Sequence, residues 1–381
     1  MIFGPYAPDK AKSGNDGILT VCEGVYPMED GYRPVGQFVS ASGALPLATK
    51  GAASFTSPSS QSLIIAGTST SLYRSSASSW NELATGYSSQ GDGRWRFVQF
   101  GGLAIATNGA DVMQKIDLDT NAVAVLGGTP PKFEILAVVK DFLVGGVRNG
   151  NVMAIGWSGI NDAEFWEAGQ QQSDYQVLPS GGSVNGILSG EYGIILQRDR
   201  IARLDYVGGN TIFEINEVSS NIGCVTVHSV AQWGSLGFFY SDEGFMMWNG
   251  QPTPIGRELV DRDFASRYNS SSWSSMSTAV DPVNGVVMWS MGDRIYCYSW
   301  IFQRWSIIDY DAEIIFSGVT RSISLDEQDP NFGAADDNLD GAGLPSFDSN
   351  LFNGGDPSLY VFASDHGMGT FTGTAQLASF E

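Results

Sequence analysis

Residues 237–256 read GFFYSDEGFMMWNGQPTPIG. An apolar run over 237–240 meets an acidic turn, Ser241-Asp242-Glu243-Gly244; a second apolar run ends at Trp248, and Asn249-Gly250 opens another turn. Apolar stretches this short, bounded by Gly, Asp and Asn, have the pattern of hairpin strands. A lone hairpin buries too little apolar surface to stand in water, so this piece needs sheets on either side of it.

Those neighbours are visible along the chain. Strand-like cores of the same kind recur as SLIIAG near 63, LAIATNG near 103, FLVGG near 142, GIILQRDR near 193, GFFYSDEG near 238, VVMWSMGD near 286 and LYVFASDHG near 359. The steps of about 40, 39, 51, 45, 48 and 73 residues fall within or somewhat above the span of a four-stranded blade. Each core is followed by a turn and another strand, a meander that buries both faces when packed around an axis. The expectation is an all-β propeller of about six to eight meander blades, with 237–256 as two inner strands of one blade. Trp80, Trp166, Trp248 and Trp305 sit late in their tiles, where large rings can fill the wedge between sheets.

Three segments stand apart. Residues 1–55 precede the first clear tile and form either an N-terminal arm or a ring-closing segment that adds a strand to the last blade, leaving 56–381 as the propeller body. In GRELVDRDFASRY, Val260, Phe264 and Tyr268 recur four apart, which predicts one short helix. Residues 322–357, acidic and rich in Gly, Pro and Asn, account for the longest step and read as an insertion loop within the body.

Composition narrows function. The 381 residues include 47 Gly and 15 Pro, which leaves little room for long helices. Forty-one acidic against 20 basic residues give a net charge of -21, which argues against a surface that grips phosphates and favours a soluble, multi-copy protein. Cys22, Cys224 and Cys297 are odd in number and widely spaced, as for buried thiols rather than a disulfide framework. No apolar window is long enough for a membrane-spanning segment, and the start lacks the basic and apolar pattern of a secretory signal.

Motifs for chemistry are weak. His228 and His366 lie far apart with no ligand or triad spacing around them. Asp336, Asn338, Asp340 and Gly341 match the opening of a calcium loop, but Phe347 stands where the bidentate Glu belongs. The GG pairs at 101, 145, 181 and 208 lack a downstream lysine and helix and read as hairpin turns. YSDEGFMMW resembles the Asp-box turns of sialidase propellers with the spacing one residue short, and such turns are structural. No catalytic residue, metal site or cofactor is nominated, and the expectation is a protein that is not an enzyme.

The ordered motifs carry a resemblance: GVYPMEDGYRP (Val25, Tyr26, Pro27, Gly31, Tyr32, Pro34), GWSGINDAEFW (Trp157, Ser158, Asn161, Asp162, Trp166), SDEGFMMWNGQPTPIG (Gly244, Phe245, Trp248, Gly250, Ile255, Gly256), AVDPVNGVVMW (Asp281, Pro282, Asn284, Trp289) and YSWIFQRWS (Trp305, Ser306). In this order they resemble the tail hub or nozzle proteins of short-tailed bacteriophages, over most of the chain. The resemblance implies a structural virion tail protein, assembled in the host cytoplasm. It would form a homo-oligomeric ring, a hexamer by the family pattern, below the portal and its adaptor, with tail fibre or tail needle proteins as neighbours. DNA would pass without sticking, and the acidic residues Asp336, Asp337 and Asp340 are the expected lumen or gate residues. Pro8, Asp9, Tyr26 and Tyr32 are the expected docking arm. The chain stops at FTGTAQLASFE, which reads like the middle of a strand where similar proteins often continue. The rival reading is a glycan-binding or glycan-cleaving propeller of sialidase type, which predicts carboxylates and exposed aromatic rings together at the channel mouth.

Overall fold

The computed structural model describes residues 4–10, 17–76, 79–89, 91–209, 211–322 and 354–381. Seven antiparallel meanders make up the body, and each strand core found in the sequence is the second strand of one of them. Blade 1 runs Gly51–Thr56, Ser62–Gly67, Ser71–Ser75 and Trp80–Thr85; blade 2 runs Arg96–Phe100, Leu103–Thr107, Gln114–Asp117 and Val123–Val125. Blade 3 begins with Ile135–Val139 and ends with Asp174–Val177, and blade 4 begins with Val184–Leu188 and ends with Phe213–Ser220. Blade 5 comprises Ala231–Trp233, Leu236–Ser241, Gly244–Trp248 and Pro252–Pro254. The stretch that opened the reading therefore supplies the second and third strands of this blade, joined in register from Gly237 opposite Trp248 to Ser241 opposite Gly244.

First strands abut from blade 1 to blade 4, and again from blade 5 through blade 7 back to blade 1. They line the axis, and the later strands of each blade step outward. Because both faces of a central strand are covered by adjacent sheets, Leu236–Ser241 and Val286–Ser290 are apolar almost without alternation.

The ring closes with strands from both ends of the chain. Blade 7 takes Ala312–Val319, Pro357–Ala363 and Gly367–Thr370 from the C-terminal part and Val39–Ala44 from the N-terminal part, with Ser42 opposite Met368. Of the two readings left open for residues 1–55, the ring-closing strand is present at 39–44. Blade 6, from Ser277–Asp281 to Arg304–Asp309, is extended outward by Cys22–Glu23 and Ser379–Phe380, and Val25–Met28 pairs with Gly31–Pro34 as a hairpin beside it.

The predicted helix is α1, Asp261–Arg267, with Val260 and Phe264 fully buried. It has no side-chain cap of its own; instead Arg262 N and Asp263 N each donate to the Asp9 carboxylate at 2.8 Å. A distant residue thus does the work of an N-cap and places its charge at the positive helix end.

The Trp prediction holds in its packing sense. Trp248 and Trp305 are buried, Trp80 of blade 1 lies 5.7 Å from Phe362 of blade 7, and Trp166 lies 5.5 Å from Phe133. One turn expectation fails: Gly145 and Gly146 lie within the strand Phe142–Arg148. A Cβ on Gly145 would come within 2.2 Å of the Phe133 ring, so this glycine makes room for a neighbouring side chain rather than for a bend. All three cysteines are buried and free.

Candidate functional site

At the end of the axis where first strands begin, side chains of blade 2 meet the segments that lead into blades 5 and 6. Blade 2 enters through GDGRWRF, residues 91–97. Along an extended chain alternate side chains share a face, so Arg94 and Arg96 point one way and Trp95 the other. Trp95 is buried, and its indole N–H donates to Thr68 O at 2.8 Å, anchoring the segment to blade 1.

The two arginines reach across the axis. Arg94 donates from Nη1 to Met276 O at 2.7 Å and from Nη2 to Ser274 O at 2.5 Å, on the segment that leads into blade 6. Arg96 Nη2 donates to Val227 O at 3.0 Å and lies 3.0 Å from His228 Nδ1, on the segment that leads into blade 5. The His228 carbonyl accepts from Thr278 Oγ1 at 2.8 Å. Blade 2 is thereby tied to the opposite side of the ring by bonds that span the channel.

On the axial side of this crossbar remains a cavity of about 170 Å³ among Ala52, Phe97, Val230, Thr278 and Ile315. Outside the crossbar is an open depression of about 480 Å³, lined by Arg94, Arg96 and His228 together with Asp92, Asn108 and Glu134. It brings carboxylates and cations together, but its lining includes no Trp, Tyr or Phe.

Burial and the positive neighbour Arg96 lower the Arg94 pKa to about 10, and burial lowers that of Arg96 to about 10 as well, so both stay charged at neutral pH. Burial, then Arg94 and Arg96, push His228 from 6.5 down to about 2, so its ring stays neutral and Nδ1 can accept from Arg96. Below pH 6.5 the unfolded chain takes up a proton on this ring and the folded chain does not. Stability supplied above pH 6.5 is therefore lost on acidification, by up to about 1.4 kcal/mol per pH unit. The expected result is that urea midpoints fall more steeply between pH 7 and 5 for the native chain than for His228→Gln, which retains an acceptor. Parallel curves would show that His228 titrates normally.

The residues singled out in the sequence lie elsewhere. Asp336, Asp337 and Asp340, with the half-matched calcium loop, fall outside the described residues. The anchors of that segment, Thr320 and Asp356, are joined by a 2.8 Å bond from Thr320 N to Asp356 O, at the opposite end of blade 7 from the arginine depression. Tyr26 is buried between blades 6 and 7. Tyr32 is half-buried, and its hydroxyl accepts from Tyr6 N at 2.9 Å. Asp9 caps α1, and the adjacent Pro8 is half-buried. Asp9 and Tyr26 thus hold the N-terminal segment against its own propeller. His366 occupies a turn with φ 69° and pairs with Glu313, and Asp242 of the Asp-box-like turn pairs with Arg198.

No family model and no curated protein matches the chain. Among solved structures, the extracellular domain of a hybrid two-component system from B. thetaiotaomicron is similar with a TM-score of 0.53 and 11% identity, over 88% of this chain and 39% of that one. A chain of the mitotic checkpoint complex is similar with a TM-score of 0.50 and 13% identity, over 88% of this chain and 93% of that one. This chain thus spans well under half of the bacterial domain. Neither comes from a phage tail, and both likenesses show the β-propeller fold alone.

Proposed function

We propose that the chain is a non-catalytic wall subunit of a short-tailed phage tail, a hub or nozzle protein that forms a ring of copies below the portal and adaptor. The ordered motifs motivate this reading, and the observation that carries it is an asymmetry of the propeller rim. Among the described residues only blade 6 is extended beyond its fourth strand, by Cys22–Glu23 and Ser379–Phe380. Every other blade, blade 7 with Val39–Ala44 included, ends at a fourth strand with no further strand beside it, and the edges of blades 2, 3 and 4 expose Val125, Tyr175, Val177 and Val218. An open edge with apolar side chains is a liability for a lone protein and a ready contact for a neighbouring copy. A rim wrapped at blade 6 and open at blades 2 to 4 suits head-to-tail contacts, which close into a ring where the rotation between copies allows it.

The crossbar at the axis means that any DNA path runs between copies rather than through one propeller. A charge of -21 per copy, repeated around such a ring, repels phosphate and lets a genome slide. Asp336, Asp337 and Asp340 remain the proposed lumen residues. The test is quantitative mass spectrometry of purified particles, comparing copies of this chain with copies of portal. A fixed ratio that fits a ring supports the reading, and absence from particles overturns it. Neutralising the three aspartates should alter genome retention or ejection; unchanged behaviour would remove them from the lumen.

A further inference from the structure

Arg94 and Arg96 stand side by side at the axis, and neither has a carboxylate within ion-pair distance among the described residues. Arg198, Arg200, Arg203, Arg257, Arg267 and Arg294 each pair with an Asp or Glu, and Arg33 and Arg148, which have no ion pair among the described residues either, lie over the rings of Tyr26 and Tyr175. The carbonyls of Ser274, Met276 and Val227 orient the two guanidinium groups but supply no net charge. Arg96 Nε and Nη1 and Arg94 Nε have no protein acceptor among the described residues, although each is a strong donor. All of this lies at the wall of an open depression of about 480 Å³, large enough for more than a bare ion.

Two like charges held side by side without an ion-pair partner repel one another, and an anion that accepts their free N–H groups relieves that repulsion. Guanidinium forks match carboxylate and phosphate oxygens in particular. We infer that the depression is a binding site for one oxyanion group, carboxylate or phosphate, seated against Arg94 and Arg96 with His228 behind it. Asp92 and Glu134 on the rim select against ligands carrying much additional negative charge. This inference stands on the geometry of the axis and is independent of the tail reading.

The test uses the full chain at constant ionic strength, with inorganic phosphate and succinate as separate probes and chloride as the control. Melting temperature and titration calorimetry are followed together. Saturable binding of either probe is expected, and which probe binds identifies the oxyanion. Arg96→Gln should weaken binding on the order of tenfold, the usual effect of losing a charge-assisted bond. Glu134→Gln and Asp92→Asn leave every bond of the crossbar intact and should tighten binding by about two- to fivefold, because each removes a rim charge. These two rim variants decide the matter if Arg96→Gln does not fold. Absence of saturable binding to both probes overturns the site. So does binding that is insensitive to all three substitutions, since the anion would then sit elsewhere.

Discussion

Phe245→Ala is expected to lower stability by about 3–5 kcal/mol, the range for deleting a fully buried aromatic ring whose surroundings cannot collapse. The Phe245 ring is completely inaccessible and lies 4.9 Å from Tyr240, 4.8 Å from Phe264, 4.7 Å from Trp289 and 5.0 Å from Trp305. These partners come from blade 5, α1 and blade 6, so the ring is where three elements meet. Several neighbours are themselves fixed: Trp289 donates its indole N–H to Ser229 O at 3.0 Å, and Trp305 donates to Ile255 O at 2.8 Å. Held in this way, they cannot swing into the vacated space. Urea unfolding measures the effect, with Val283→Ala as the control, since Val283 is 70% exposed and should change stability by no more than about 0.5 kcal/mol. A loss below about 1 kcal/mol for Phe245→Ala would show that the seam between blades 5 and 6 is loosely packed.

The same residue shows why the fold was readable and the site was not. The apolar runs around Phe245 repeat at blade spacing because each second strand must be covered on both faces, and this demand is written into every tile. The two charged residues at the axis are written only once. GRWR carries a local signal, since Arg94 and Arg96 alternate with a Trp just after a Gly-Asp-Gly turn, at the position in the tile where a first strand begins. What they meet is contributed more than 130 residues later, by the carbonyls of Val227, Ser274 and Met276 and by the one side chain of His228. Backbone acceptors leave no trace in residue identity, so searching by motif around His228 could not find the partner. Asp9 was visible as a docking candidate, but its role as the cap of α1 depends on a tertiary contact spanning more than 250 residues. A glycine pair ordinarily marks a turn, which is the pattern Gly145 and Gly146 show in sequence; the Phe133 ring that requires Gly145 lies in the connection before the strand's own hairpin.

Ring closure is expected to have the largest effect of all, because it joins the two ends of the propeller. Val39–Ala44 completes blade 7 with Ala44 opposite Gly367 and Val39 opposite Thr370. Its continuation is zipped in place: Leu45 N donates to His366 O at 3.0 Å, and Gln37 N to Thr374 O at 2.7 Å. Blade 1 also holds the strand, since the Trp80 indole N–H donates to Gly43 O at 2.9 Å. Residues 46–48, just beyond, are exposed and suit a deliberate cut. The fragment 49–381 alone would leave Met368 and Phe362 of blade 7 without their cover and free the ring to open between blades 7 and 1. The expected loss approaches the whole stability of a typical domain, roughly 5–15 kcal/mol, so the fragment should not unfold cooperatively. The cut chain with both pieces present should still melt as one unit, because the strand is held by its register and not by the covalent link. Calorimetry of the nicked protein and of the isolated fragment separates the two cases. A cooperative melt of 49–381 at the temperature of the intact chain would mean that the blades close without the N-terminal strand. Failure of the nicked protein to hold together would instead assign the closure to chain connectivity.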